Sequence, residues 1–348
     1  MTSDPASPRS PAGMHPGDAS AIPHGGDLGD AARLAGSAAA AAHGWLDLST
    51  GINPHAFPAV HDAAALKRLP QRADEDRLVA AARRAYRVPD DAAILAAPGT
   101  QAIIQWLPHV LPADRVTVLG PTYAEHAAVW SRHAPTTEAA TLPTDGLAIV
   151  VNPNNPTGRV VPQETLAAFA SAGASGTVRL LVDEAFGDLT PDVTAAGLPG
   201  TIVLKSFGKF YGLPGLRLGF AIGPAPVIAR LAEAVGPWAV PAPALVTGAA
   251  ALADDAWATA MRARLTREAA ELDTVLTAAG LTVVGGTALF RLVETPDAAA
   301  LQRALARHAI WTRAFPYAPT WLRIGLPGPH LPRLEAALAA IAARPDNA

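Results

Sequence analysis

Apolar residues in this chain fall into short blocks of two kinds. Runs at Ala92–Ala97, Val116–Leu119, Leu147–Val151, 178–182, 201–204 and 217–222 are nearly continuous and rich in aliphatic side chains, the pattern of strands buried on both faces. Between them, apolar and charged residues recur at helical spacing over 74–86, from Pro98 to about Leu107, over 162–172 and over 226–235. Strand and helix units of this length, repeated in turn, predict an α/β fold whose mostly parallel sheet is covered on both faces. The pattern changes beyond residue 236. One long helix is predicted over 241–276, then short strands at 281–284, 288–292, 310–313 and 321–324 with helices at 298–308 and 331–343, a smaller α+β C-terminal domain. At the front, residues 1–22 carry Pro, Ser, Gly, Ala and Asp without periodicity and read as a mobile tail. A short helix over 31–42 and a brief strand at 46–48 follow, so the chain divides into a tail (1–22), an N-terminal arm (23–50), a large domain (51–236) and a small domain (237–348).

Composition narrows the function. A chain of 348 residues, 50% hydrophobic and 16% charged, can bury a large core. A net charge of −3 gives no basic field for nucleic acid, so any anion must be recognised locally. The absence of cysteine excludes disulfides, thiol catalysis and cysteine-ligated metal, and no metal site is expected. No membrane-spanning run or basic-then-apolar leader is visible, so a cytoplasmic location is the expectation.

The chemistry is concentrated in the stretch from Val203 to Phe220. A strand delivers Ser206 and Lys209, three positions apart, to a Gly/Pro-punctuated loop that carries Arg217. Lysine condenses with aldehydes, and desolvation or neighbouring cations make it nucleophilic near neutral pH. A hydroxyl and a bidentate cation suit a phosphate. Aldehyde and phosphate together suggest pyridoxal phosphate (PLP). Two more strand ends point the same way. Asn155 lies in Asn152-Pro153-Asn154-Asn155-Pro156-Thr157-Gly158, and Asp183 ends the run Leu180–Asp183, where a carboxylate needs a cation such as a protonated pyridine nitrogen.

These three segments, in this order, resemble the fold-type I PLP-dependent enzymes of the class I/II aminotransferase superfamily. His24-Gly25-Gly26-Asp27, Leu48 to Pro54, Lys209 to Gly219 and Pro237 to Val240 are more narrowly similar to the L-threonine-O-3-phosphate decarboxylases of cobalamin biosynthesis, close kin of the histidinol-phosphate aminotransferases. The resemblance implies a phosphate cup at Gly99, Thr100 and Gln101, where a helix N-terminus also favours a dianion, completed by Ser206 and Arg217. It implies that Tyr123 stacks on the cofactor ring, Asn155 bonds the ring oxygen, Asp183 pairs with the ring nitrogen and Lys209 carries PLP and moves protons. For the substrate it implies His24 on phosphate, Asn53 in a lid, Asn155, Arg323 on the α-carboxylate and Arg313 as a second arginine. It further implies a small phosphorylated amino-acid substrate, a homodimer, and release of carbon dioxide to leave (R)-1-amino-2-propanol phosphate. The chain departs from its kin in three places. Leu69-Pro70-Gln71 stands where many have Tyr-Pro-Asp reaching across a dimer, Phe186 replaces a tyrosine, and Pro327 takes the place of an additional arginine. A histidinol-phosphate-type aminotransferase would share every cofactor residue, and a PLP-binding regulatory protein without catalysis is the alternative of another class.

Overall fold

The computed structural model describes residues 24–35, 44–59, 63–172 and 176–343. The expected tail, and residues 36–42 of the expected first helix, lie outside the described residues; α1 spans Leu28–Ala35. From there the chain runs β1 (Leu46–Asp47), α2 (Arg72–Ala85), β2 (Ala92–Ala97), α3 (Thr100–Val110), β3 (Val116–Leu119), α4 (Glu125–Trp130), β4 (Thr136–Ala139) and β5 (Leu147–Val151). It continues through α5 (Gln163–Ser171), β6 (Leu180–Asp183), β7 (Thr201–Ser206), α6 (Phe207–Phe210), β8 (Gly219–Pro224), α7 (Ala225–Val235), α8 (Ala242–Leu252) and α9 (Asp255–Ala278). The last elements are β9 (Thr282–Thr287), β10 (Phe290–Glu294), α10 (Ala298–Arg307), β11 (Ile310–Trp311), β12 (Arg313–Phe315), β13 (Ala318–Gly325) and α11 (Leu331–Ala342).

The main sheet has seven strands in the order β2-β8-β7-β6-β5-β3-β4. Only β8 runs against its neighbours, so the sheet is mostly parallel as expected. Its central strands are buried on both faces because successive side chains serve different layers. Val150, Val182 and Val203 join one apolar core, while Ile149, Leu181, Ile202 and Leu204 join the other. Each fully buried aliphatic side chain of this kind contributes about 1.5–3 kcal/mol. A second sheet, β12-β13-β10-β9, is antiparallel, and β1 pairs in parallel with β11.

Several expected boundaries are corrected. The helix predicted over 241–276 is two, because Asp254 leaves helical geometry and its side chain accepts the Trp257 N–H at 2.9 Å, starting α9 afresh. The strand predicted from 217 begins at Gly219, since Arg217 is left-handed with φ of 51°. The strand predicted over 310–313 is split between two sheets at Thr312. Strand β4 gave no apolar pattern to read, being a half-exposed Thr-Thr-Glu-Ala edge.

Candidate active site

Strand register gathers the site. Gly219 of β8 lies opposite both Ala97 at the end of β2 and Ser206 at the end of β7, which sets the start of α3 beside the lysine-bearing loop. On the other side, Asp183 of β6 is level with Val151 and Leu204. The carboxyl ends of the parallel strands therefore open on one cavity of about 260 Å³, lined by His24, Ser49, Thr50, Gly99, Thr100, Gln101, Tyr123, Asn155, Asp183, Phe186, Ser206, Lys209, Arg217 and Arg323. Of the residues proposed from sequence, Asn53 and Arg313 do not line it. Asn53 donates to the Phe210 carbonyl at 2.7 Å and accepts the His55 N–H at 2.8 Å, bracing its own loop. Arg313 stands on β12 over the Phe315 ring, close enough for its charge to depress the ionisation of Arg323.

Lys209 lies in the short helix α6, and its ammonium donates to the Thr50 carbonyl at 3.1 Å. Burial brings its pKa down to about 8, Arg323 adds to that, and Asp183 opposes it. Lys205, the other lysine of the stretch, is sealed away. Its ammonium sits 2.5 Å from Glu184 Oε2 with both side chains buried, and Glu184 also accepts from Thr194 Oγ1 and the Ala195 N–H.

The asparagines of the 152–158 turn separate by what they bond. Asn152 clamps both backbone groups of Val161, and Asn154 ties Thr122, Thr157 and the Pro121 carbonyl together. Asn155 alone of the three lines the cavity. Its amide oxygen accepts from Arg323 at 2.5 Å, which leaves its N–H pair as the donor toward the cavity. Arg323 also donates to the Ser49 carbonyl, lies over the Phe290 ring, and is buried enough that its pKa falls to about 10.

Two residues that no motif announced complete the site. His126, fully buried on α4, places Nε2 2.8 Å from Asp183 Oδ2, while Asp183 Oδ1 accepts the Ala185 N–H at 3.0 Å. Glu125, the residue before it, accepts from His24 and Gln101. The only signal for either was proximity in sequence to Tyr123.

The arrangement fits pyridoxal 5′-phosphate. Gly99, at φ of 85°, opens α3 with its backbone bare, and a Cβ there would stand 2.8 Å from the Arg217 guanidinium. A Cβ on Gly219 would stand 2.6 Å from the Thr100 amide nitrogen, so the two glycines keep open a cradle of backbone N–H and guanidinium donors of the kind a phosphate dianion requires. Among the described residues no group of three or more His, Cys, Asp or Glu could hold a metal ion, and no helix is long and apolar enough to cross a membrane.

A mostly parallel α/β sheet that presents a lysine, an acid and an anion cradle at its strand ends defines a PLP-type lysine enzyme. The chain belongs to the aminotransferase class I and II family, whose model matches residues 55–341. It is 48% identical to a threonine-phosphate decarboxylase of Sinorhizobium sp. over 88% of this chain and 93% of that one. It is 44% identical to a threonine-phosphate decarboxylase of Pseudomonas aeruginosa over 91% of this chain and 97% of the relative. The fold is also that of a histidinol-phosphate aminotransferase from Sinorhizobium meliloti solved in complex with pyridoxal-5′-phosphate, at a TM-score of 0.76 and 20% identity, over 92% of this chain and 95% of the other.

Proposed function

We propose that the protein is a PLP-dependent decarboxylase that converts L-threonine O-3-phosphate to (R)-1-amino-2-propanol phosphate and carbon dioxide, a step of cobalamin biosynthesis. The observation that carries this reading is the 44–48% identity, over nine-tenths of the chain, to relatives of that name. The cavity is consistent with it.

PLP, when bound, supplies an electron sink conjugated to the substrate's α-carbon. Gly99, Thr100, Gln101, Ser206 and Arg217 would hold its phosphate, Tyr123 its ring face, Asn155 its ring oxygen and Asp183 its ring nitrogen. Lys209, with a pKa near 8, can be a neutral nucleophile in a substantial fraction of molecules at physiological pH. The same side chain would deliver a proton to the α-carbon after carbon dioxide leaves. Arg323, braced by Asn155 and Ser49, would take the carboxylate and His24 the substrate's phosphate, with Arg313, which stands outside the cavity lining, adding its charge at that end. Phe186 packs edge-on against Phe290 and has no hydroxyl to offer the ring oxygen, so that bond falls to Asn155.

The protein assembles, in this reading, as a homodimer. Leu66, Leu69 and Trp238 are 77%, 57% and 58% exposed, apolar area that a second copy would cover. Light scattering at assay concentration should give twice the chain mass; a fully active monomer would count against it. The functional test is a side-by-side assay. L-threonine phosphate should release carbon dioxide, while rapid conversion of histidinol phosphate with 2-oxoglutarate and none of threonine phosphate would replace this reading by the aminotransferase.

A further inference from the structure

Behind the cavity wall lies a carboxylate that the proposed reaction does not use: Glu125, which does not line the cavity but bonds two residues that do, His24 and Gln101. Glu125 is 9% exposed, and a carboxylate so buried is costly unless donors engage it. Its two oxygens are divided between two parts of the molecule. Oε1 lies 2.9 Å from His24 Nε2 on the N-terminal arm, and Oε2 accepts from Gln101 Nε2 at 2.7 Å at the start of α3. Gln101 in turn accepts the Tyr123 hydroxyl at 3.0 Å on its own amide oxygen.

The charge sets the direction of every bond in this chain. A carboxylate only accepts, so His24 must present an N–H and Gln101 must turn its amino group toward Glu125. The Gln101 carbonyl is thereby aimed at Tyr123, whose hydroxyl donates to it. The phenol is held un-ionised by burial first and by the Glu125 charge second, which suits a hydroxyl used only as a donor. Around His24 the arm is held otherwise by the Gly26 N–H, which reaches Ser49 Oγ at 2.7 Å, with the His24 ring 6.1 Å from that of Tyr123; further on, α1 has its own anchor, Ala31 buried with Ala306 and Trp311.

We propose that Glu125 is a positioning residue that ties the N-terminal arm to the cavity wall and fixes the orientation of the Tyr123 ring on which the cofactor stacks. The proposal rests on the PLP reading for its second half. Its test needs no substrate. In cofactor-free protein, Glu125→Gln should speed amide hydrogen exchange in the segment 24–27, before α1 is anchored on α10, by roughly ten-fold, the loss of one charge-assisted hydrogen bond. After PLP is added, the same variant should alter the visible circular dichroism of the bound cofactor, because a glutamine at 125 lets the Gln101 amide turn and frees the ring. Tyr123→Phe should change the dichroism and leave the arm's exchange as it was. Wild-type behaviour of Glu125→Gln in either readout overturns the proposal. Should that variant fail to fold, Glu125→Asp decides it by the same two readouts, since a side chain one methylene shorter cannot span both partners. A protein that binds PLP but leaves threonine phosphate untouched refutes the decarboxylase reading alone.

Discussion

His126 and Asp183 form a buried couple whose partners come from different layers: Nε2 on helix α4 meets Oδ2 at the end of strand β6 at 2.8 Å, with 0% and 4% of the side chains open to solvent. The second carboxylate oxygen is engaged by the Ala185 N–H, so Asp183 is held in one rotamer at the position from which it would meet the cofactor's ring nitrogen. His126→Leu removes a donor from a buried carboxylate, a loss of about 1.5–3 kcal/mol if it is felt fully on cofactor binding. PLP affinity, followed by quenching of protein fluorescence, should fall about ten- to a hundred-fold. Wild-type affinity in the leucine variant would show that the couple has no part in cofactor binding.

The two lysines of the 201–220 stretch should behave oppositely. Borohydride reduction of the PLP-loaded protein should fix the cofactor on Lys209, and Lys209→Ala should lose the visible band of the bound cofactor while remaining folded. Lys205→Met should instead unfold the protein readily, because it strands Glu184 without its cation in the interior, a change that costs about 3–5 kcal/mol. Thermal melting and peptide mapping separate the cases; an adduct on Lys205 would refute both.

Ionisation of Lys209 gives a pH signature in the cofactor-free protein. Its folded pKa of about 8 lies below the 10.5 of an ordinary lysine, so at neutral pH folding holds a charge where burial disfavours one. That penalty is fully present below pH 8 and is lifted as pH rises from about 8 through 10.5, where the folded state releases its proton before the unfolded chain does. Cofactor-free Lys209→Met should therefore be more stable than wild type at pH 7, with the gap narrowing above pH 8. Denaturant titrations at a series of pH values would show it, and a constant gap would contradict the depressed pKa. The rate of PLP capture by wild type should climb over the same interval.

Much of this site was legible because its residues lie at ends of apolar strand runs: Asp183 closes Leu-Leu-Val, Lys209 follows Val203 and Leu204, and Asn155 follows Val150 and Val151. Burial on both faces leaves a polar residue in such a place only if it has a partner or a task. His126 and Glu125 were not legible, since the run Glu125–Trp130 looks like any short helix and their roles arise only when β3, β5 and β6 come side by side. Asn53 shows the converse. Its loop was read as a lid, yet both ends of its amide are spent on Phe210 and His55, a commitment set by tertiary contact.

Arg323 already donates to Asn155 and Ser49, so the fork is pre-set in direction before any carboxylate arrives. Arg323→Lys keeps the charge but loses the fork, and should raise KM for threonine phosphate about ten- to a hundred-fold, the 1.5–3 kcal/mol of a charge-assisted contact. A change confined to kcat, with KM intact, would argue that this arginine braces the loop and does not bind substrate.

The choice between losing carbon dioxide and losing a proton depends on which bond at the α-carbon stands perpendicular to the cofactor ring. An arginine gripping the carboxylate alone would hold it without setting that torsion, so a second anchor at the far end of the substrate is needed. We propose His24, which lines the cavity beside Tyr123, as that anchor, with Arg313, outside the lining but with its charge felt at both Tyr123 and Arg323, as its support. Threonine phosphate fixed at both ends can be twisted so that its carboxylate leaves the ring plane. Histidinol phosphate is longer and has no carboxylate, which leaves Arg323 with no substrate group to grip. Wild-type protein should therefore give stoichiometric carbon dioxide and amino-propanol phosphate, with little pyridoxamine phosphate. Arg313→Ala should lower kcat/KM about ten- to a hundred-fold and raise the fraction of turnovers ending in transamination, because the freed phosphate end lets the substrate rotate. Product analysis by mass spectrometry reads both quantities, and an unchanged product ratio at reduced kcat/KM would mean that Arg313 binds the substrate without orienting it.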